Sequence, residues 1–96
     1  MARDIGQKDY RPLGAPEVVA YTGTAGNGSA IAAGVKAVDI VCTTAAFIAI
    51  GKTAIATTSY MPVEAAKHYR YAVAEGDRVS AIQSASGGNV HIWSLV

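Results

Sequence analysis

The chain is 96 residues long, 51% hydrophobic and only 16% charged, and its eight basic and seven acidic side chains leave a formal charge of +1. A chain of that length holds one hydrophobic core rather than two. Its balanced, interspersed charges give no electrostatic footprint for gripping a phosphate backbone, so direct nucleic-acid binding is not expected.

Soluble domains average about 25% charged residues, and the shortfall here points to a surface that is partly interface. Cys42 is the single cysteine, which excludes an intrachain disulfide, and it sits in the apolar run Ile40-Val41-Cys42, where a buried, unreactive thiol is expected. The longest apolar stretch, from Ile40 to Ile50, is broken by Thr43 and Thr44. It falls well short of the roughly 20 residues that span a bilayer. Met1 to Gly6 carries charges with no apolar run behind them, unlike a secretory leader. The expectation is a protein neither led through a membrane nor embedded in one.

Residues 1–16 read as an extended N-terminal arm. They mix Arg3, Asp4, Lys8, Asp9 and Arg11 with Gly6, Pro12, Gly14 and Pro16 and hold no period, and the prolines disfavour a helix. Such an arm either frays or lies on a neighbouring subunit, where Tyr10 and Arg11 would dock. Residues 17–96 read as a single β domain.

Its first run is Glu17 to Thr22, followed by a loop from Gly23 to Ser29 that three glycines keep irregular. A second run, Val35 to Cys42, alternates, and the face bearing Val38, Ile40 and Cys42 is expected to point inward. Phe47 to Ile50 reads as a short strand ending at Gly51-Lys52. Met61 to Asp77 carries conflicting signals. Pro62, the alanines and Gly76 favour a helix by propensity and capping, whereas Tyr69, Tyr71 and Val73 alternate with His68, Arg70 and Ala72. We read Lys67 to Val73 as a strand and Pro62 to Ala66 as the loop leading into it. Val79 to Ser84 and Asn89 to Leu95 read as a hairpin joined by Ala85-Ser86-Gly87-Gly88. The fold class is therefore all-β: a small β-sandwich, or a jelly-roll-like or barrel domain, behind an extended arm.

Chemical motifs are poorly represented. Gly51-Lys52-Thr53 resembles the end of a phosphate loop, but the glycine such a loop needs five positions earlier is Ala46. Gly23, Gly26 and Gly28 run in the reverse spacing of a dinucleotide fingerprint. His68 and His91 are the candidates for acid–base or metal chemistry near neutral pH. Neither has a second ligand at metal-motif spacing, and both read as ordinary strand residues. No serine lies in a nucleophile elbow. The chain is expected to be no enzyme and to hold no cofactor or metal. Aromatic side chains and arginine are favoured interface anchors, which makes Tyr10, Arg11, Tyr21, Tyr69, Tyr71 and Trp93 the candidate interface residues. In the last strand His91, Trp93 and Leu95 share one face.

From Val38 to Val96 the sequence resembles a recurring type of small structural protein in tailed bacteriophages. The resemblance is carried by Thr43-Thr44-Ala45-Ala46-Phe47-Ile48-Ala49-Ile50-Gly51, by Ala56-Thr57-Thr58-Ser59-Tyr60-Met61-Pro62, by Tyr69-Arg70-Tyr71, by Gly76-Asp77-Arg78-Val79-Ser80-Ala81-Ile82-Gln83 and by Gly87-Gly88-Asn89-Val90-His91-Ile92. Between Val63 and Lys67 the chain departs from it, with Glu64-Ala65-Ala66 in place of more turn-like residues. The resemblance implies a virion structural protein of the capsid decoration or cement type, assembled in the host cytoplasm into the phage head. It would bridge major capsid protein subunits, itself a homodimer or homotrimer, without touching nucleic acid or membrane. A head-to-tail connector or tail fibre component is the alternative within the virion. A carbohydrate-binding module, stacking sugars on exposed Tyr and Trp, is the alternative of a different class.

Overall fold

The computed structural model describes residues 15–96. The arm read over residues 1–16, with Tyr10 and Arg11, lies outside the described residues apart from Ala15 and Pro16. Eight strands follow: β1 (Glu17–Tyr21), β2 (Gly26–Asn27), β3 (Ala37–Cys42), β4 (Ala46–Gly51), β5 (Met61–Val63), β6 (His68–Ala72), β7 (Arg78–Gln83) and β8 (Gly88–Leu95). The described chain is all-β, and no helix in it is long and apolar enough to cross a membrane.

The strands form two four-stranded sheets, the first in the order β1-β8-β3-β6 and the second in the order β2-β7-β4-β5. Within them β1 pairs with β8, β2 with β7, β3 with β6 and β4 with β5, each antiparallel. This nested pairing, spread across two sheets, is the strand order of a jelly roll. Period-2 alternation explains what each sheet buries. Val38, Ile40 and Cys42 of β3 and Val90 and Ile92 of β8 meet Ile48 of β4 and Val79 and Ala81 of β7 in one apolar core. The inward face expected for Val38 to Cys42 is the one observed, and the Cys42 thiol is buried as expected.

Three expectations are corrected. The last two strands are not a hairpin: β7 belongs to the second sheet and β8 to the first. The glycine-rich link between them is a crossover whose flanks bind distant backbone, Gln83 N–H donating to Thr22 O at 3.0 Å and Gly88 standing opposite Tyr21. Within the glycine loop, Gly26 and Asn27 form a two-residue strand against Ala81 and Ser80. Pro62 and Val63, read as the start of a loop, belong to β5 and pair with β4 instead, and Pro62 is tolerated because β5 is an edge strand. The strand reading of Lys67 to Val73 matches β6, where alternation and cross-strand pairing outweigh helix propensity.

Glycines make two of the close approaches possible. A Cβ on Gly26 would overlap the carbonyl oxygen of Ala20, and one on Gly88 would fall 2.5 Å from Thr44 Oγ1 and 2.6 Å from Thr43 Oγ1. Beside Gly88, the buried Tyr21 hydroxyl donates to Thr44 O at 2.7 Å and accepts from Thr44 N–H at 3.3 Å. Thr44 Oγ1 in turn donates to Ser86 O at 3.0 Å, and Asn89 N–H donates to Thr43 Oγ1 at 2.9 Å. This corner fixes where the chain passes between sheets. On the outward side of the second sheet, the segment 52–60 is pinned by Ala56 N–H donating to the buried Ser80 Oγ at 2.8 Å. Part of the second sheet's outer face is therefore covered by its own loop.

Candidate docking face

The outward face of the first sheet collects the side chains that alternate away from the core. Val18, His91, Val41 and His68 form one row across its four strands, and Trp93, Asp39 and Arg70 form the next. In a third row Ala37 stands opposite Leu95 and Ala72, and Ala37 and Leu95 are both buried. Each member is placed by a strand whose other side is anchored in the core, so the face is rigid to the extent that the core is.

Trp93 is its centre. His91, two residues earlier on β8, stacks beside it with ring centroids 6.1 Å apart and planes at 23°. His68 reaches it from β6 edge-on, at 6.3 Å and 87°. Next to this trio Arg70 grips Asp39 with two parallel bonds, Nε to Oδ1 at 2.6 Å and Nη2 to Oδ2 at 2.9 Å. A fork of this kind is the stronger form of ion pair, and here it is only partly solvated. The guanidinium hydrogen bonds hold the Asp39 carboxyl below its ordinary pKa against the opposing effect of burial. Val18 completes the face at 53% exposed.

Sequence-predicted residues fall in three places. Trp93 lies on this face. Tyr21 lies in the core, 1% exposed, where burial pushes its phenol pKa up. Tyr69 and Tyr71 turn inward at the β6 edge, half-buried against the core and stacked on each other at 6.5 Å and 3°. Tyr69 is further tied by accepting the Glu64 N–H at 3.0 Å, while burial raises the pKa of Tyr71. Tyr10 and Arg11 are outside the described residues. No protein-family model, curated protein or solved structure matches the chain.

Sequence reasoning passed over His68, His91, Val18, Val41 and the Asp39–Arg70 pair as site residues. The available signal was alternation: placing Tyr69 and Tyr71 inward forces His68 and Arg70 outward, and placing Val90 and Ile92 inward does the same for His91 and Trp93. Among the described residues no group of three or more His, Cys, Asp or Glu side chains is arranged to hold a metal ion. What the arrangement can do is bind. A tryptophan and an arginine at the centre of a half-buried patch, flanked by His68, His91, Val18 and Val41, have the composition of an interface hot spot.

Proposed function

We propose that the chain is a non-enzymatic virion structural protein of the decoration or cement type, docking on major capsid protein subunits through the outward face of the first sheet. The observation that carries this reading is the Trp93-centred patch: Trp93 and Arg70 held rigidly among His68, His91, Val18 and Val41 on one sheet face. The jelly-roll order supports it by analogy, since viral capsid proteins use that architecture, although lectins and cupins do too. Low charge supports it as well, and so does the sequence resemblance. A carbohydrate module draws less support, because Tyr21, Tyr69 and Tyr71 turn into the sandwich instead of offering open platforms.

The test is the copy number of the chain in purified particles, measured by quantitative gel densitometry. Hundreds of copies support decoration, about a dozen would assign the chain to a connector, and its absence would overturn a virion role. In the same particles Trp93→Ala should lower occupancy at least about 30-fold at limiting protein, the value for a hot spot of about 2 kcal/mol. Unchanged occupancy would move the docking surface elsewhere.

A further inference from the structure

The chain has two asparagines, Asn27 and Asn89, and a glycine follows the first of them. Glycine puts no side chain beside its backbone nitrogen and leaves the chain free to bend, so an Asn-Gly peptide closes readily on the asparagine's own amide. The reaction needs no enzyme. Gly28 N, once hydroxide has taken its proton, bonds to Asn27 Cγ; the Cγ–Nδ2 bond breaks, and Nδ2 leaves as ammonia with a proton from water. Water then opens the five-membered imide at either carbonyl, leaving aspartate or isoaspartate at position 27. The fold both requires this dipeptide and restrains it. A Cβ on residue 28 would fall 3.2 Å from Glu17 Oε1, 3.2 Å from Ile92 Cδ1 and 3.4 Å from Val79 O, crowded from three sides. Asn27 is exposed, whereas Gly28 is buried. The Gly28 N–H, whose proton the reaction must remove, donates to Val79 O at 2.8 Å, and Gly28 O accepts from Arg78 Nη1 at 3.1 Å. One residue on, Ser29 donates its N–H and Oγ to the Glu17 carboxylate at 3.1 and 2.9 Å.

We propose that Asn27–Gly28 is a spontaneous deamidation site that the fold holds closed, converting only in molecules whose β2 has lifted from β7. Hydroxide reaches the Gly28 nitrogen only after the bond to Val79 is broken and the buried peptide is wetted. Such an opening belongs to the low-stability end of the structure, because β2 is two residues long and lies at the edge of its sheet. Conversion to isoaspartate is one-way. That product carries the chain through Cβ and adds a carbon to the backbone, so Gly26 and Gly28 no longer meet Ala81 and Val79 in one register. The lifted strand cannot reseat, and the Arg78–Gly28 and Glu17–Ser29 ties go with it. The aspartate product keeps the backbone, adds a charge at an exposed position, and closes again.

Hydrogen exchange of the Gly28 amide, followed by NMR, measures the same opening and sets the scale for the test. The full chain is incubated in mildly alkaline buffer, folded or in denaturing guanidinium chloride; peptide mass mapping reads the amide-to-acid change, and enzymatic methylation reads isoaspartate. In the unfolded chain Asn27 should convert well ahead of Asn89, which the β-branched Val90 screens. In the folded chain conversion should slow by the protection factor of the Gly28 amide, to within about threefold. Gly26→Ala, whose methyl meets the Ala20 carbonyl, should speed folded-state conversion at least about tenfold. If circular dichroism shows that variant unfolded, guanidinium chloride below the unfolding transition replaces it, and the wild-type rate should climb with its concentration. The isoaspartyl form, separated by ion exchange, should lose Gly28 protection, while Asn27→Asp keeps it. No conversion of Asn27 in the unfolded chain overturns the site. Equal folded and unfolded rates, or a folded rate that does not follow Gly28 exchange, overturn control by β2, and an isoaspartyl form with Gly28 still protected overturns the one-way step.

Discussion

Removing one oxygen from the core should show how much the inter-sheet corner matters. Tyr21→Phe keeps the buried ring but deletes the hydroxyl that donates to Thr44 O at 2.7 Å and accepts from Thr44 N–H at 3.3 Å. A buried polar group stripped of its partner costs about 1–3 kcal/mol. Thr44 is half-buried, so water recovers part of its bonding, and the middle of that range, about 2 kcal/mol, is the expected loss. For a domain of this size each kcal/mol lowers Tm by about 4–8 °C, which puts the drop near 8–16 °C. Thermal melts followed by circular dichroism, with urea titration at fixed temperature, measure it. Tyr60→Phe is the control: Tyr60 is 50% exposed, and its substitution should stay within about 0.5 kcal/mol of wild type. A Tyr21→Phe protein as stable as that control would refute the view that the hydroxyl holds the crossover in place.

Backbone geometry gives two predictions of opposite sign. Gly26→Ala drives a methyl into the Ala20 carbonyl, where neither partner is a flexible side chain, and should destabilise by about 2–3 kcal/mol in a urea titration. Ala66 sits at φ 60°, a left-handed conformation that costs a non-glycine residue about 1–2 kcal/mol. Ala66→Gly relieves that strain, gives back part of it as backbone entropy, and should raise stability by about 0.5 kcal/mol in the same assay. The pH profile of stability should fall on both flanks. Asp39 has a folded pKa below its unfolded value, so its contribution is complete above about pH 4 and is lost as pH falls through the lower folded value; Asp39→Asn should flatten this acid limb. Tyr21, Cys42 and Tyr71 have folded pKa values raised by burial, so their contribution is complete below the unfolded values of about 9–10 and is lost as pH rises through the folded ones.

Alternation made much of the fold legible. Val38, Ile40 and Cys42 declared an inward face, and Tyr69, Tyr71 and Val73 outweighed the alanines and the proline that argued for a helix. Partner choice was not legible. Val79 to Ser84, two glycines and Asn89 to Leu95 have the local look of a hairpin, yet β7 pairs with β4 and β2, and the link to β8 is tied instead to distant chain, Gln83 to Thr22 and Ser86 to Thr44. Nothing within a few residues of Gly87 encodes that. The docking face was hidden for the same reason. His68 and His91 become neighbours of Trp93 only because β6 and β8 both flank β3, a relation no spacing along the chain expresses. Tyr21 carried the opposite error: an aromatic read as an anchor is a core residue whose hydroxyl has its partner inside.

Nested pairing also dictates a sequence of events. The β4–β5 pair closes over residues 52–60, β3–β6 encloses it, and β1–β8 is joined only across residues 22–87. Loop-closure entropy rises with the length of free chain, so the inner hairpin is the cheapest first step, and each pair that forms shortens the loop left for the next. Non-local pairing of this kind places folding in the millisecond-to-second range. A ribosome-bound chain cannot finish its first sheet until β8 has emerged, which leaves Val19, Val38 and Ile40 without their β8 neighbour until then. Pulse-labelled hydrogen exchange should protect Ile48 before Val19, and the reverse order would show that the sandwich assembles from its ends.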